Sequence, residues 1–333
     1  MPFSAEAFQR IARGYGDTEN PRRTEGEPME RFPDGARVCF VGDSLVAQNR
    51  HVKRIIDYYG RHFPKSGIRF FNCGVAGGTY GCAVDFFEDD VLRHRPTHVV
   101  VAFGVNDAWR GHLEWPRGEE RLSILRGAFD RYRENVARFA QKARERGIHL
   151  TLCTPAPYDE YTEGEVPPLR GGFALMLGYA DFIRSFAKEE GIPLCDYHDA
   201  FSHFIETERD VYSPDRVHPT DHGHYLLAKT FLAHQGLEID KEAPVPDYFD
   251  RWAEAVVRLR DVYGAEHMIV QNYHLPLEEK LKIARRRMEA VDGDAAVIER
   301  FGGAFVRDAE AKEALYLEID RLYERDVFEK YAK

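Results

Sequence analysis

Between residues 36 and 234 the chain alternates between short apolar runs and longer amphipathic segments, and this alternation constrains the fold more than any other feature. The runs at 36–41, 68–72, 97–103, 149–153 and 192–197 have the length and composition of buried strands. The segments at 46–63, 80–94, 119–146, 172–190 and 220–234 carry apolar residues at helical spacing. Strands separated by helices lie parallel, because each crossover returns the chain along one face of the sheet. The expected class is therefore α/β, with a parallel five-stranded sheet over residues 35–240. Residues 1–34 read as a short amphipathic helix over 1–10 and a polar linker from about 14 to 33. Beyond Pro244-Val245-Pro246 the alternation stops. Charged amphipathic helices are predicted over 247–263, 277–291, 294–301 and 308–330, which makes residues 241–333 a helical extension. The apolar face Trp252, Val256, Leu259 and Val262 must be covered; such an appendage packs on its own core, caps a site or joins subunits, and a homo-oligomer contact or a lid is the favoured expectation.

In open parallel sheets, ligands bind beyond the carboxyl ends of the strands. The loops there carry the chemistry. Val41-Gly42-Asp43-Ser44-Leu45 follows the first strand, Asn72-Cys73-Gly74-Val75-Ala76-Gly77-Gly78-Thr79 the second, and Gly104-Val105-Asn106-Asp107 the third. Asp215-Arg216-Val217-His218-Pro219 comes near the end of the pattern. Each block has a plainer use on its own. Ser44 suits a helix N-cap, Gly77 a turn, Asn106 an Asx-turn and His218 a loop. Together, and in this order, they are hard to produce by chance.

With these four blocks the chain resembles the SGNH (GDSL-type) hydrolases over roughly residues 35–235. The resemblance implies a flavodoxin-like three-layer sandwich and a carboxylic-ester hydrolase. It matches Ser44 to the nucleophile, His218 to the base, Asp215 to the partner of that base, and Gly77 and Asn106 to the oxyanion hole together with Ser44. The chemistry agrees residue by residue. A serine hydroxyl needs a base near neutral pH, which histidine supplies. A carboxylate three residues before the histidine can hold the second ring nitrogen. Glycine lets backbone approach the substrate closely, and an asparagine amide donates without a charge. The competing nucleophile elbow is absent: no Gly-x-Ser-x-Gly occurs, and Val46 stands two residues after Ser44. Expected substrate contacts are Asp43, Trp109, Trp115 and Tyr158, on loops at the same ends of the strands. Asp43 also suits a structural role, bonding loop backbone.

The set Asp215, His218, Asp221, His222 and His224 invites a metal reading, but Pro219 opens the helix after His218 and no Glu base accompanies the histidines. No metal and no cofactor is expected. The 333-residue chain has 46 basic and 56 acidic side chains, a net charge of −10, and no basic stripe. Nucleic acid and anionic membrane surfaces are therefore not expected partners. Five scattered cysteines, no signal-like start and no long apolar run suggest a cytoplasmic protein. The expected partner is a small-molecule ester, such as an acylated carbohydrate. A short-chain acetylesterase is favoured over a lysophospholipase, a thioesterase or an acyltransferase using the same residues.

Overall fold

A computed structural model describes residues 29–109, 118–162, 167–208, 210–239, 244–270, 276–290, 296 and 309–331. Strands β1 (Arg37–Gly42), β2 (Arg69–Gly74), β3 (His98–Ala102), β4 (His149–Cys153) and β5 (Leu194–Cys195) form a five-stranded parallel sheet in the order β2-β1-β3-β4-β5. This is the flavodoxin-like order. The strands read as near-continuous apolar runs because both faces are covered. Val38, Cys39, Val99, Val101 and Leu152 are all fully buried.

By internal contacts the chain divides into two units. One contains Phe32–Gly78, Phe86–Pro96 and Ile239–Lys333. In it β1 pairs with β2 in register from Arg37 opposite Arg69 to Gly42 opposite Gly74. Its first helical stretch departs from the single helix predicted over 46–63. Helix α1 (Ser44–Ala47) is followed by a break at Asn49, whose φ of 60° is left-handed, and α2 (Arg50–His62) starts afresh. Asparagine tolerates that conformation better than most residues. The C-terminal helices α9 (Asp250–Val270), α10 (Leu277–Ala290) and α11 (Ala309–Leu322) belong to this unit and not to a body of their own. The apolar face expected to need a cover is already buried within the chain: Trp252, Val256, Leu259 and Val262 are 1–3% exposed. At its centre Arg260 donates to both oxygens of Asp90, at 2.5 and 3.0 Å. The Tyr316 hydroxyl also bonds Asp90 and lies 2.9 Å from that of Tyr263. The predicted helix over 308–330 loosens after Leu322 into a wide π-type turn, Tyr323–Phe328. Most of the segment predicted as a helix over 294–301, the N-terminal helix and most of the linker lie outside the described residues.

The other unit contains Thr79–Asp85 and Thr97–Glu238, with residues 29–31. It holds β3 to β5, α3 (Tyr80–Asp85), α4 (Val105–Ala108), α5 (Gly118–Glu145), α6 (Gly172–Glu190), α7 (Tyr197–Thr207) and α8 (Asp221–His234). The helix predicted over 80–94 stops early at Asp85; a π-type turn (Phe87–Val91) and a 3-10 turn (Leu92–His94) continue it. Tyr132 of α5 packs on Tyr80 and Tyr179, at ring distances of 5.3 and 4.6 Å. Helix α7 was not anticipated. The strand predicted over 192–197 is only Leu194–Cys195, because Asp196 caps α7 by accepting from the Asp199 N–H at 3.0 Å.

Candidate active site

Ser44 is the first residue of α1 and is 3% exposed. Three groups hold its short helix. The Asp43 carboxylate accepts from the Leu45 N–H at 3.0 Å and caps the helix. Asn72, on β2, donates its amide to the Val46 carbonyl at 2.7 Å and to Asn49 at 2.9 Å. His51 lies beneath with its ring bonded to the Leu45 backbone. Gly74 completes the arrangement through its lack of a side chain. A Cβ there would stand 2.3 Å from the Ala47 nitrogen, so only glycine lets α1 rest on β2. Asp43 is thus a buried residue that caps α1, in keeping with the structural use its sequence position also suggested. Gly77, half-buried with φ 72°, follows in the turn after β2. That turn is closed by the Gly78 N–H donating to the Val75 carbonyl at 2.8 Å.

Burial lowers the pKa of His51 to about 4 and that of His94 to about 3. The unfolded side chains titrate near 6.5. Between these values the unfolded chain binds more protons, so stability falls as pH falls. Thermal unfolding midpoints should drop steadily from pH 7 to pH 4.5. His51→Gln should flatten that slope, and an unchanged slope in this variant would remove His51 from the account.

In the other unit, Asn106 is half-buried on α4, behind β3. Tyr158 is 1% exposed and donates its hydroxyl to the Val105 carbonyl at 2.6 Å. It supports α4 from within the core. Asp107 accepts from the Tyr80 N–H at 3.1 Å and so caps α3. Trp109 is 51% exposed and takes the unusual φ of 39°. Trp115 lies outside the described residues.

The Asp-x-x-His block forms a closed turn. Asp215 Oδ2 lies 2.5 Å from His218 Nδ1, and Oδ1 accepts from the backbone N–H groups of Val217 and His218 at 3.0 Å. Burial pushes the Asp215 carboxyl upward, but the His218 contacts and the backbone donors outweigh it, and its pKa is lowered. An ionised Asp215 makes Nδ1 the donor and assigns the basic lone pair of His218 to Nε2. Helix α8 begins only at Asp221, capped by Thr220, so His218 and His222 do not share a helix face. Among the described residues, Cys73, Asp90 and His94 are the group whose ligand atoms lie close enough to hold a metal. The Asp90 carboxylate is already paired with Arg260 there, and a cation would have to displace a buried guanidinium.

One segment brackets both the Asn106 loop and the Asp215–His218 turn of this unit. Tyr158 holds α4, while the N–H of its neighbour Asp159 donates to the Arg216 carbonyl at 3.0 Å. The Tyr212 hydroxyl reaches the Pro157 carbonyl at 2.6 Å. Arg216, left-handed at φ 66° and 5% exposed, donates to the Thr162 carbonyl at 2.6 Å and lies 3.5 Å from the Asp159 carboxylate. Sequence reading missed this role, since a lone arginine beside Asp215 carries no signal of its destination. Arg216→Gly keeps the left-handed backbone and removes the clamp. It is expected to lower kcat by about tenfold through misplacement of the dyad and to lower Tm by several degrees. Steady-state kinetics and thermal unfolding check both.

The chain thus combines a parallel α/β sheet of flavodoxin-like order with a buried, carboxylate-oriented histidine. The sequence model of the GDSL-like lipase/acylhydrolase family matches residues 40–226, and the chain belongs to that family, whose members are carboxylic-ester hydrolases. It is 27% identical over 225 residues to an acetylxylan esterase of Geobacillus stearothermophilus, a match covering 62% of this chain and 97% of that esterase. It is 28% identical to the uncharacterized lipoprotein YqeF of Bacillus subtilis (strain 168), over 43% of this chain and 59% of that protein. Among solved structures, a variant of the Geobacillus stearothermophilus acetyl xylan esterase Axe2 superposes with a TM-score of 0.52 at 24% identity, covering 63% of this chain and 99% of its own. BT4096, a gut microbial diltiazem-metabolizing enzyme, has a TM-score of 0.64 at 14% identity and covers 90% of this chain and 97% of its own. These two likenesses concern the fold.

Proposed function

We propose that the chain removes short acyl groups, acetyl above all, from a soluble acylated carbohydrate by way of an acyl-enzyme on Ser44. His218 Nε2 takes the Ser44 proton as Oγ attacks the ester carbonyl. The tetrahedral oxyanion is received by the N–H groups of Ser44 and Gly77 and the Asn106 amide. Collapse expels the sugar alkoxide, which His218 protonates. Water, deprotonated by the same nitrogen, then releases the acid and restores Ser44.

The observation that carries this reading is the Asp215–His218 pair, oriented by three hydrogen bonds before any substrate arrives. Two further points support it. Ser44, Gly77 and Asn106 each stand just behind a strand of the sheet. Catalytic mutants of Axe2 replace a serine, an aspartate and a histidine, the last two being three positions apart, which is also the spacing of Asp215 and His218. The preference for acetyl rests on the acetylxylan esterase relative.

A panel of p-nitrophenyl esters from acetate to decanoate, run beside acetylated xylo-oligosaccharides, tests the substrate class. The expected kcat/KM is at least tenfold higher for acetate than for decanoate, a gap of about 1.4 kcal/mol. A decanoate preference would replace this reading with a lysophospholipase- or thioesterase-like one.

A further inference from the structure

Helix α9 lies beyond the residues matched by the family, yet it packs against β2 and against α1, the helix that begins with Ser44. At Gly264 it meets Ala76, in the turn after β2. A Cβ at this position would stand 2.9 Å from Ala76 Cβ and 3.3 Å from both the nitrogen and the oxygen of Ala76. Gly264 is buried inside a 21-residue helix, where alanine would ordinarily be favoured by about 1 kcal/mol. A glycine there works against the helix and in favour of contact: it lets the helix backbone touch the turn that carries Gly77.

Ala76 is 3% exposed and directly precedes Gly77. On its inner side the turn is held by the Val75 N–H donating to the Gly42 carbonyl at 2.8 Å. On the other side it meets α9. The helix cannot slide freely along this contact. Arg260 stands one turn before Gly264 on the same face and is locked to Asp90 by two charge-assisted bonds, with both side chains 1% exposed. The Asp90 segment in turn touches the end of β2, where Cys73 Sγ lies 4.0 Å from the Asp90 carbonyl oxygen.

We propose that Gly264 is a positioning residue: α9 is the wall that holds Val75–Gly78 in place and so sets the direction of the Gly77 N–H. The inference rests on the reading of Gly77 as an oxyanion donor. An added methyl at 264 displaces Ala76 by a few tenths of an ångström and turns the next N–H away from the oxyanion. Since the oxyanion exists only after attack, the loss falls on kcat and not on KM.

The test uses the full chain with p-nitrophenyl acetate. Gly264→Ala is expected to lower kcat about tenfold while KM stays within about twofold. Adding Ala76→Gly, which returns the lost space from the other side, is expected to restore kcat to within about threefold of the parent. An unchanged kcat in Gly264→Ala, or no recovery in the double variant, overturns the proposal. Should Gly264→Ala fail to fold, Ala76→Ser enlarges the same contact from the turn side. A kcat-only loss in that variant supports the proposal, and an unchanged kcat overturns it. Ser44→Ala run alongside separates the two levels. Hydrolysis that survives Ser44→Ala removes the catalytic reading itself, whereas hydrolysis that depends on Ser44 but ignores Gly264→Ala removes only the positioning role.

Discussion

Ser44→Ala is expected to lower kcat for p-nitrophenyl acetate by about 10⁴-fold or more, and adding His218→Ala is expected to lower it scarcely further. Nucleophile and base act on one proton in one step, so removing either abolishes the same route, and their effects do not add. The residual rate in each variant comes from binding and oxyanion stabilisation alone. Asp215→Ala should cost less, since His218 retains its basic nitrogen and loses only its orienting partner at 2.5 Å. Fluorophosphonate labelling gives a second readout: it should vanish in Ser44→Ala and slow strongly in His218→Ala. If the two single losses multiply in the double variant, Ser44 and His218 do not work as a unit and the proposed mechanism falls.

The second large effect concerns stability. Arg260 and Asp90 form a bidentate pair with side chains 1% exposed, in the middle of the packing of the C-terminal helices. Arg260→Met leaves the Asp90 carboxylate buried with only the Tyr316 hydroxyl and no opposite charge. Breaking a buried pair from one side typically costs about 3–5 kcal/mol, a fall of about 4–7 °C in Tm at this chain size. Replacing both partners, as Arg260→Met with Asp90→Leu, should recover most of that loss, because no charge is then stranded. Urea unfolding of the singles and the double measures the coupling directly. A Tm unchanged in Arg260→Met would show that the pair is not what secures α9.

The alternation of apolar runs and helical segments made the α/β class and each of the five strands legible, because period and length are local properties of sequence. The family blocks were legible for the same reason. The helix over 46–63 was misread because its interruption depends on a single residue, Asn49, whose left-handed conformation has no periodic signal, and on the close approach of α1 to β2 at Gly74. Helix α7 was missed because Asp196 reads as the end of a strand until its carboxylate is seen to cap the Asp199 N–H. Tyr158 looked like a loop aromatic among prolines, and only its 1% exposure and its bond to Val105 show a core residue.

By itself the sequence determined the order of elements, the membership of the hydrolase family and the local Asp215–His218 spacing, since each is set by residues near one another along the chain. The tertiary structure alone decided what lies under α1, what clamps Arg216, and that the apolar face of the C-terminal helices is spent inside the chain on the unit that carries Ser44 and Gly77. Those outcomes turn on contacts between residues far apart in sequence, such as Arg260 with Asp90 and Gly264 with Ala76. Close packing decides them, and it has no periodic trace in the sequence.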